Sequence, residues 1–210
     1  MDWLGRLARQ CRKPTGLPGR LLGRLMNIEH NSLRTWGLKQ IGIKSNSAVL
    51  DVGCGGGKTI NVMAKSTHQG KVYGVDYSKD MVRLAKAINA NYIHNGMVEI
   101  EQSCVSSLPF ENKYFDVVTA FETTFFWPNL LKNTEEVHRV LKDKGIFLIV
   151  NEKYKQDAPL REKDIHWLNI ANIKLYSVDE YKFYLKSAGF SKVNVLTIPE
   201  KNWIAAIAEK

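Results

Sequence analysis

The run Val49-Leu50-Asp51-Val52 into Gly53-Cys54-Gly55-Gly56-Gly57 constrains this chain more than any other stretch. Apolar and β-branched residues closing on a carboxylate read as a buried strand. Glycines at alternate places after it read as a loop that lays bare backbone against a ligand, because glycine accepts φ > 0 and has no Cβ to collide. The helix that follows offers its free N-terminal N–H groups at the same point. Spacing excludes two phosphate-binding patterns. A Walker A loop closing on Gly57-Lys58-Thr59 needs glycine where Val52 stands, and a dinucleotide G-x-G-x-x-G from Gly53 needs glycine where Lys58 stands. The pattern that fits is acid-x-G-x-G-x-G.

A second strand, Lys71 to Asp76, also ends on a carboxylate. In nucleotide-type folds an acid about 20 residues past the glycine loop accepts hydrogen bonds from a ribose diol. Asp76 stands at that separation, and its two oxygens suit two adjacent hydroxyls. Tyr77-Ser78-Lys79-Asp80-Met81 opens the next helix, with Ser78 as N-cap and Met81 as either ordinary core or a soft surface for an adenine face.

From Ser45 the pattern alternates, which predicts a parallel sheet with crossover helices. Strands are expected near 48–52, 71–76, 97–103, 115–121 and 145–151, and helices near 58–66, 79–92 and 130–141. A helix at 178–188 with Gly189 as C-cap then leads into a hairpin, 193–198 with 203–208. Asp51, Asp76, Cys104 and Glu122 all fall near the carboxyl ends of strands, where ligands of such sheets lie. The domain reading is a helical cap over 1–44 and a ligand-binding α/β domain over 45–210. Within the cap, 20–42 reads as one helix with His30 beside its apolar stripe.

Residues 1–24 carry Arg6, Arg9, Arg12, Lys13, Arg20 and Arg24 against Asp2, with Trp3, Leu4, Leu7 and Ala8 at helical spacing. Prolines 14 and 18 interrupt the segment, which is expected to contribute little to the core. A membrane-surface anchor, an RNA-contacting arm and a solvated flanking helix are all consistent with it. The net charge of +9 favours anionic partners without choosing among them. Cys11, Cys54 and Cys104 show neither metal-ligand nor disulfide spacing, so no metal is expected. With no apolar run of about 18 residues and no signal-peptide core, the chain reads as cytoplasmic, with a peripheral membrane contact left open.

The glycine loop, Asp76 and further stretches (Ser107-Leu108-Pro109-Phe110, Tyr114-Phe115-Asp116-Val117-Val118, Val137 to Lys142, Ala188-Gly189-Phe190) together resemble the class I S-adenosylmethionine (SAM) methyltransferases. The resemblance spans most of the chain from about 45 onward and is closest to the small-molecule branch of ubiquinone and menaquinone biosynthesis. It implies a Rossmann-like α/β fold, a seven-stranded, mostly parallel sheet with helices on both faces and an antiparallel last strand. It also implies SAM as cofactor, with Gly53, Gly55 and Gly57 lining its methionine part and Asp76 holding the ribose. Asp51, Cys54 and Phe121 are placed on the same cofactor side. Where the family often has an adenine-binding Asp, this chain has Cys104-Val105. A thiol accepts poorly, so adenine recognition is expected from backbone groups and from packing on Tyr77, Met81 and Val105.

Methyl transfer from a sulfonium is an in-line displacement for which positioning supplies most of the effect. The acceptor wall is expected from Phe121 to Pro128, with Asn151 to Tyr154 nearby. Four aromatics about one carboxylate suit an apolar, planar or cationic small molecule. Glu122, with His30 as partner, is expected to face the acceptor, one of the two taking its proton; the alternatives are that Glu122 contacts SAM or caps a turn and that His30 is a packed helix residue. Nucleic acid is not the expected partner. The alternatives are an RNA or protein methyltransferase, or a SAM-binding protein without catalysis.

Overall fold

A computed structural model describes residues 3–156 and 162–210. The side chains of Trp3, Leu4, Arg6, Leu7 and Arg9, and the whole of Asp2, lie outside the described residues. Along the chain run α1 (Trp3–Arg12), α2 (Gly16–Glu29), α3 (Asn31–Leu38), β1 (Ala48–Val52), α4 (Lys58–Ser66), β2 (Lys71–Asp76), α5 (Lys79–Ile88), α6 (Ala90–His94) and β3 (Val98–Gln102). Then follow β4 (Phe115–Phe121), a 3-10 turn (Thr124–Phe126), α7 (Leu130–Val140), β5 (Leu141–Asn151), α8 (Glu162–Ala171), α9 (Val178–Ser187), β6 (Lys192–Ile198) and β7 (Trp203–Glu209).

The strands form one sheet in the order β3-β2-β1-β4-β5-β7-β6. β7 alone runs against the rest, pairing antiparallel with β5 and β6. The chain reverses direction across the sheet between β1 and β4, so the carboxyl ends of β1, β2 and β4 open a crevice there. Alternate residues feed the two faces. Val49 and Val72 pack with Ile60, Met63, Val82 and Ala85 beneath α4 and α5, while Leu50 and Val118 pack with Val137, Tyr181 and Leu185 beneath α7 and α9. On the first face Leu33 of α3 joins Leu148, Val150 and Ala205. A Cβ at Gly37 would come within 2.5 Å of Val150, so α3 lies hard against β5 and is continuous with the core.

Several boundaries differ from the periodicity, each for a local reason. The helix expected over 20–42 is two helices that meet at His30, whose φ of −81° and ψ of 14° turn the chain there. The helix expected over 79–92 stops at Asn89 because that buried side chain donates to the carbonyls of Gly57 and Ala85, tying α5 to the glycine loop. β5 begins at Leu141 instead of 145, and its pairing with β4 is irregular between Phe115 and Val117, with Lys144 left-handed at φ 65°. α8 lies in a stretch to which the pattern assigned no element.

Residues 1–24 pack more than their composition suggests. Ala8, Pro14, Gly19 and Gly23 are buried. The Ser78 hydroxyl donates to the Pro14 carbonyl at 2.5 Å, the Gly16 N–H donates to Asp80 Oδ2 at 2.9 Å, and the Tyr77 hydroxyl donates to the Arg12 carbonyl. Small residues carry this contact where the pattern sought large ones: Gly23 leaves room for Met81 of α5, whose Sδ a Cβ there would meet at 2.9 Å. Pro18 sits in the first turn of α2, where no N–H is needed, so the helix resumes inside the supposed break.

Candidate active site

Parallel pairing sets Val52 beside Val75, which brings the ends of β1 and β2 together. The Val75 carbonyl accepts from the N–H groups of both Gly53 and Cys54, at 2.8 and 3.0 Å, folding the loop back over the sheet edge. Asp76 completes the clamp, its Oδ2 accepting the Gly55 N–H at 2.9 Å and its Oδ1 the Ser78 N–H at 2.8 Å. Gly53 has φ 71°, and a Cβ on it would lie 2.3 Å from Thr123 Oγ1, so this place admits glycine alone.

These groups border a cavity of about 320 Å³. Asp51, Gly53, Cys54, Gly55, Asp76, Tyr77, Met81, Cys104, Val105 and Phe121 all lie on its wall, as do His30 and Glu122. Gly57 does not, contrary to expectation. Its missing Cβ makes way for Ala85, 2.7 Å from where one would stand, so this glycine serves helix packing and Gly56 takes its place on the wall. Beyond the loop, Phe121, Phe126 and Trp127 form the aromatic part of the wall. Phe125 and Thr124 turn into the protein instead, where Thr124 Oγ1 and the Tyr181 hydroxyl share the Asn151 amide. Asn151 is thus spent on the core.

Glu122 follows β4 with a left-handed backbone, φ 56°, held by its N–H donating to the Val150 carbonyl at 2.9 Å. Its Oε1 accepts the N–H of Glu152. His30 Nε2 lies 3.8 Å from Glu152 Oε2. His30, Glu122 and Glu152 each bring one donor atom within 4.8 Å of the others, the one such group of metal-competent side chains among the described residues. The expectation of no metal rested on cysteine spacing, which cannot register this trio.

The family of methyltransferase domains matches residues 43–189, more than half of the chain. The chain belongs to the class I SAM-dependent methyltransferases. Its cofactor is SAM, and its relatives include proteins named demethylmenaquinone methyltransferase. The methyltransferase is 29% identical over 198 residues to a demethylmenaquinone methyltransferase of Staphylococcus saprophyticus, covering 82% of this chain and 84% of that one. It is 25% identical over 168 residues to the uncharacterized methyltransferase YdaC of Bacillus subtilis, covering 80% and 91%. The solved structure of a SAM-dependent methyltransferase from Aquifex aeolicus shares the fold, with a TM-score of 0.72 at 23% identity over 90% of this chain and 97% of that one.

Three residues of the cavity wall escaped the pattern. Arg34, buried in α3, donates from Nε to Thr59 Oγ1 at 3.2 Å and from Nη2 to the Asn27 carbonyl at 3.1 Å. Asn27 borders the cavity with its Nδ2 buried and unpartnered, beside Gly56, where a Cβ would meet it at 2.4 Å. Thr59 is on the wall too. A buried arginine in a basic chain carries no local sequence signal, and neither does an asparagine in a helix.

Burial dominates the electrostatics. It pushes Asp51 up to about 7, with the Thr119 hydroxyl at 2.7 Å and the Arg34 guanidinium pulling down and Asp76 pushing up. Asp76 is raised by burial against the two N–H groups it accepts. Glu122 is driven well above its ordinary 4.5 by burial and then by the Glu152 carboxylate, with the Glu152 N–H and Lys153 opposing. His30 is pushed below its ordinary 6.5 by burial, against the pull of Glu152 and Glu29. Its proton affinity is therefore tuned by its surroundings.

Proposed function

We propose that this methyltransferase acts on a small, largely apolar and planar acceptor, and that Glu122, supported by Glu152 and His30, takes the acceptor's proton. The observation that carries the reading is the carboxyl–imidazole trio set against Phe121, Phe126 and Trp127. A carboxyl with raised proton affinity is matched to removing a proton from a weakly acidic hydroxyl near neutral pH. The Glu152 N–H fixes its orientation, and His30, held largely neutral, offers an onward acceptor.

The cavity's polar groups fit SAM. The unpartnered Asn27 amide and the Arg34 guanidinium suit the carboxylate of its methionine part, beside the open backbone of Gly53 to Gly56. Each Asp76 oxygen keeps a lone pair beyond the backbone N–H it accepts, enough for the ribose diol. Tyr77, Met81, Cys104 and Val105 border the adenine end. SAM supplies an electrophilic methyl carbon, and the protein's task is to align the acceptor, exclude water and receive one proton. The helices of residues 1–44 serve as the cap over this reaction.

Relatives named demethylmenaquinone methyltransferase favour an aromatic quinol as acceptor. A ring carbon beside a hydroxyl would form the new C–C bond as the hydroxyl proton passes to Glu122 and its oxygen becomes a carbonyl. The sulfonium C–S bond would break with its electrons left on sulfur, and the proton on the methylated ring carbon would then move to that oxygen to restore the ring. The test is incubation of the protein with methyl-labelled SAM and cell extract, followed by mass spectrometry of each fraction. Label in a small organic-soluble product supports the reading. Label confined to RNA or protein overturns it, and binding of SAM with no turnover in any fraction would make the chain a SAM-binding protein only.

A further inference from the structure

We infer that the outer face of α2 docks on the surface of an anionic lipid bilayer. Leu17, Leu21, Leu25 and Ile28 are 75%, 60%, 54% and 73% exposed. At about 100° per residue the four fall within one arc of about 80° on the helix. Scattered exposed leucines need no explanation, but four large aliphatics in one unbroken stripe do. The opposite face of the same helix is used up: Gly23, Met26 and Asn27 border the cavity, and Gly19 packs against Pro14.

The charge around the stripe selects the partner. Exposed Arg24 follows Leu21 on one flank, with half-buried Arg20 beside it pairing with Asp80 at 3.9 Å, and exposed Arg12 and Lys13 lie just ahead of the helix. An apolar stripe edged by arginine and lysine is the chemistry of an interfacial helix, which sinks its aliphatics among acyl chains while the cations meet anionic headgroups. A symmetric contact between two copies would instead set these cations against their own kind. At 14 residues α2 lies on a membrane and does not span it, and no described helix is long and apolar enough to cross one. The charge pattern in the sequence offered residues 1–24 as an anchor, beside an RNA-contacting arm and a solvated flanking helix. In the fold Ala8 of α1 is buried, and the exposed apolar stripe belongs to α2. Because one helix carries both faces, docking would set the cavity wall directly beneath the bilayer surface, whatever the acceptor.

The experiment is cosedimentation of the full-length protein with vesicles of phosphatidylcholine alone or mixed with phosphatidylglycerol. The inference expects binding to the mixed vesicles that weakens with salt, and a loss of about tenfold or more on replacing Leu21→Gln together with Leu25→Gln. Both side chains are exposed, so the thermal midpoint and the SAM affinity by calorimetry should stay at wild-type values. Arg24→Glu should weaken binding to the mixed vesicles severalfold. No binding of the wild type, or equal binding by the double variant, overturns the inference. So does a wild-type dimer in solution that the double variant converts to monomer, since a second copy would then own the face.

Discussion

The two walls of the cavity are built on different principles. The cofactor wall comes from two short runs, 51–56 and 75–78, each leaving the end of a strand, and its polar groups are mostly backbone held by backbone: two N–H groups on one carbonyl, two more on one carboxylate. The acceptor wall draws His30 from a helix junction, Glu122 from after β4 and Glu152 from after β5, and its chemistry is in side chains. A backbone cradle tolerates little change at its own positions and is indifferent to most others. A side-chain wall can be rewritten one residue at a time. On the proposed function, the first wall marks the family and the second sets the acceptor.

The largest effect should come from the acceptor wall. Glu122→Gln keeps the shape and removes the proton acceptor, so turnover should fall by about a hundred- to ten-thousandfold while SAM affinity stays near wild type. The wild-type rate should rise with pH through the elevated Glu122 titration, because only the carboxylate can accept, and that limb should vanish in the variant. Steady-state rates across pH with parallel calorimetry check both. Loss of affinity and turnover together would move Glu122 to the cofactor wall and erase the contrast.

On the cofactor wall Gly53→Ala forces a methyl against Thr123 at a left-handed φ. Overpacking of about 1–3 kcal/mol should add to about 1–2 kcal/mol of backbone strain, read as a lowered thermal midpoint with SAM binding lost. Gly55→Ala, whose Cβ would meet nothing within 4 Å, should keep the fold far better and so separate packing from ligand contact. Asp76→Ala should weaken SAM by about 1.5–3 kcal/mol, the range for hydrogen bonds to a charged group. Isothermal calorimetry showing unchanged affinity would remove Asp76 from the ribose.

The smallest effect is electrostatic. Asp51 is raised from 3.8 to about 7 in the folded, SAM-free protein, so between those values the folded state binds the extra proton and stability falls as pH rises. The Asp51 contribution is complete below about pH 4 and lost through pH 7. Thermal midpoints over that range should slope downward in the wild type and run flatter in Asp51→Asn. An unchanged slope would show that Asp51 is ionised in the fold, paired more closely with Arg34 than its burial suggests.

Strand placement was legible because β-branched runs and glycine loops are local: β1, β2 and β4 lie at their expected positions, and the hairpin of β6 and β7 closes within a residue of its expected ends. The errors have local causes of another kind. Asn89 ends α5 through a partner 32 positions away, and no helical period can report that bond. Gly57 lies off the cavity wall and packs against Ala85, a tertiary contact that the glycine spacing does not report. The basic N-terminal segment was discounted because its packing uses glycine, alanine and proline, which carry little hydrophobic signal.

What the sequence determined by itself was the class of fold and, through the resemblance its motifs carry, the cofactor, since strands and glycine loops follow from contiguous residues whose backbone conformations are dictated by their own side chains or lack of them. What only the tertiary structure decided was the meeting of His30, Glu122 and Glu152, the buried placement of Arg34 and Asn27, and the exposure of one leucine stripe on α2. Those depend on which helix turns where and which face the core leaves uncovered. Burial and proximity are properties of the packed chain, and it is they that set the proton affinities and surfaces on which the chemistry rests.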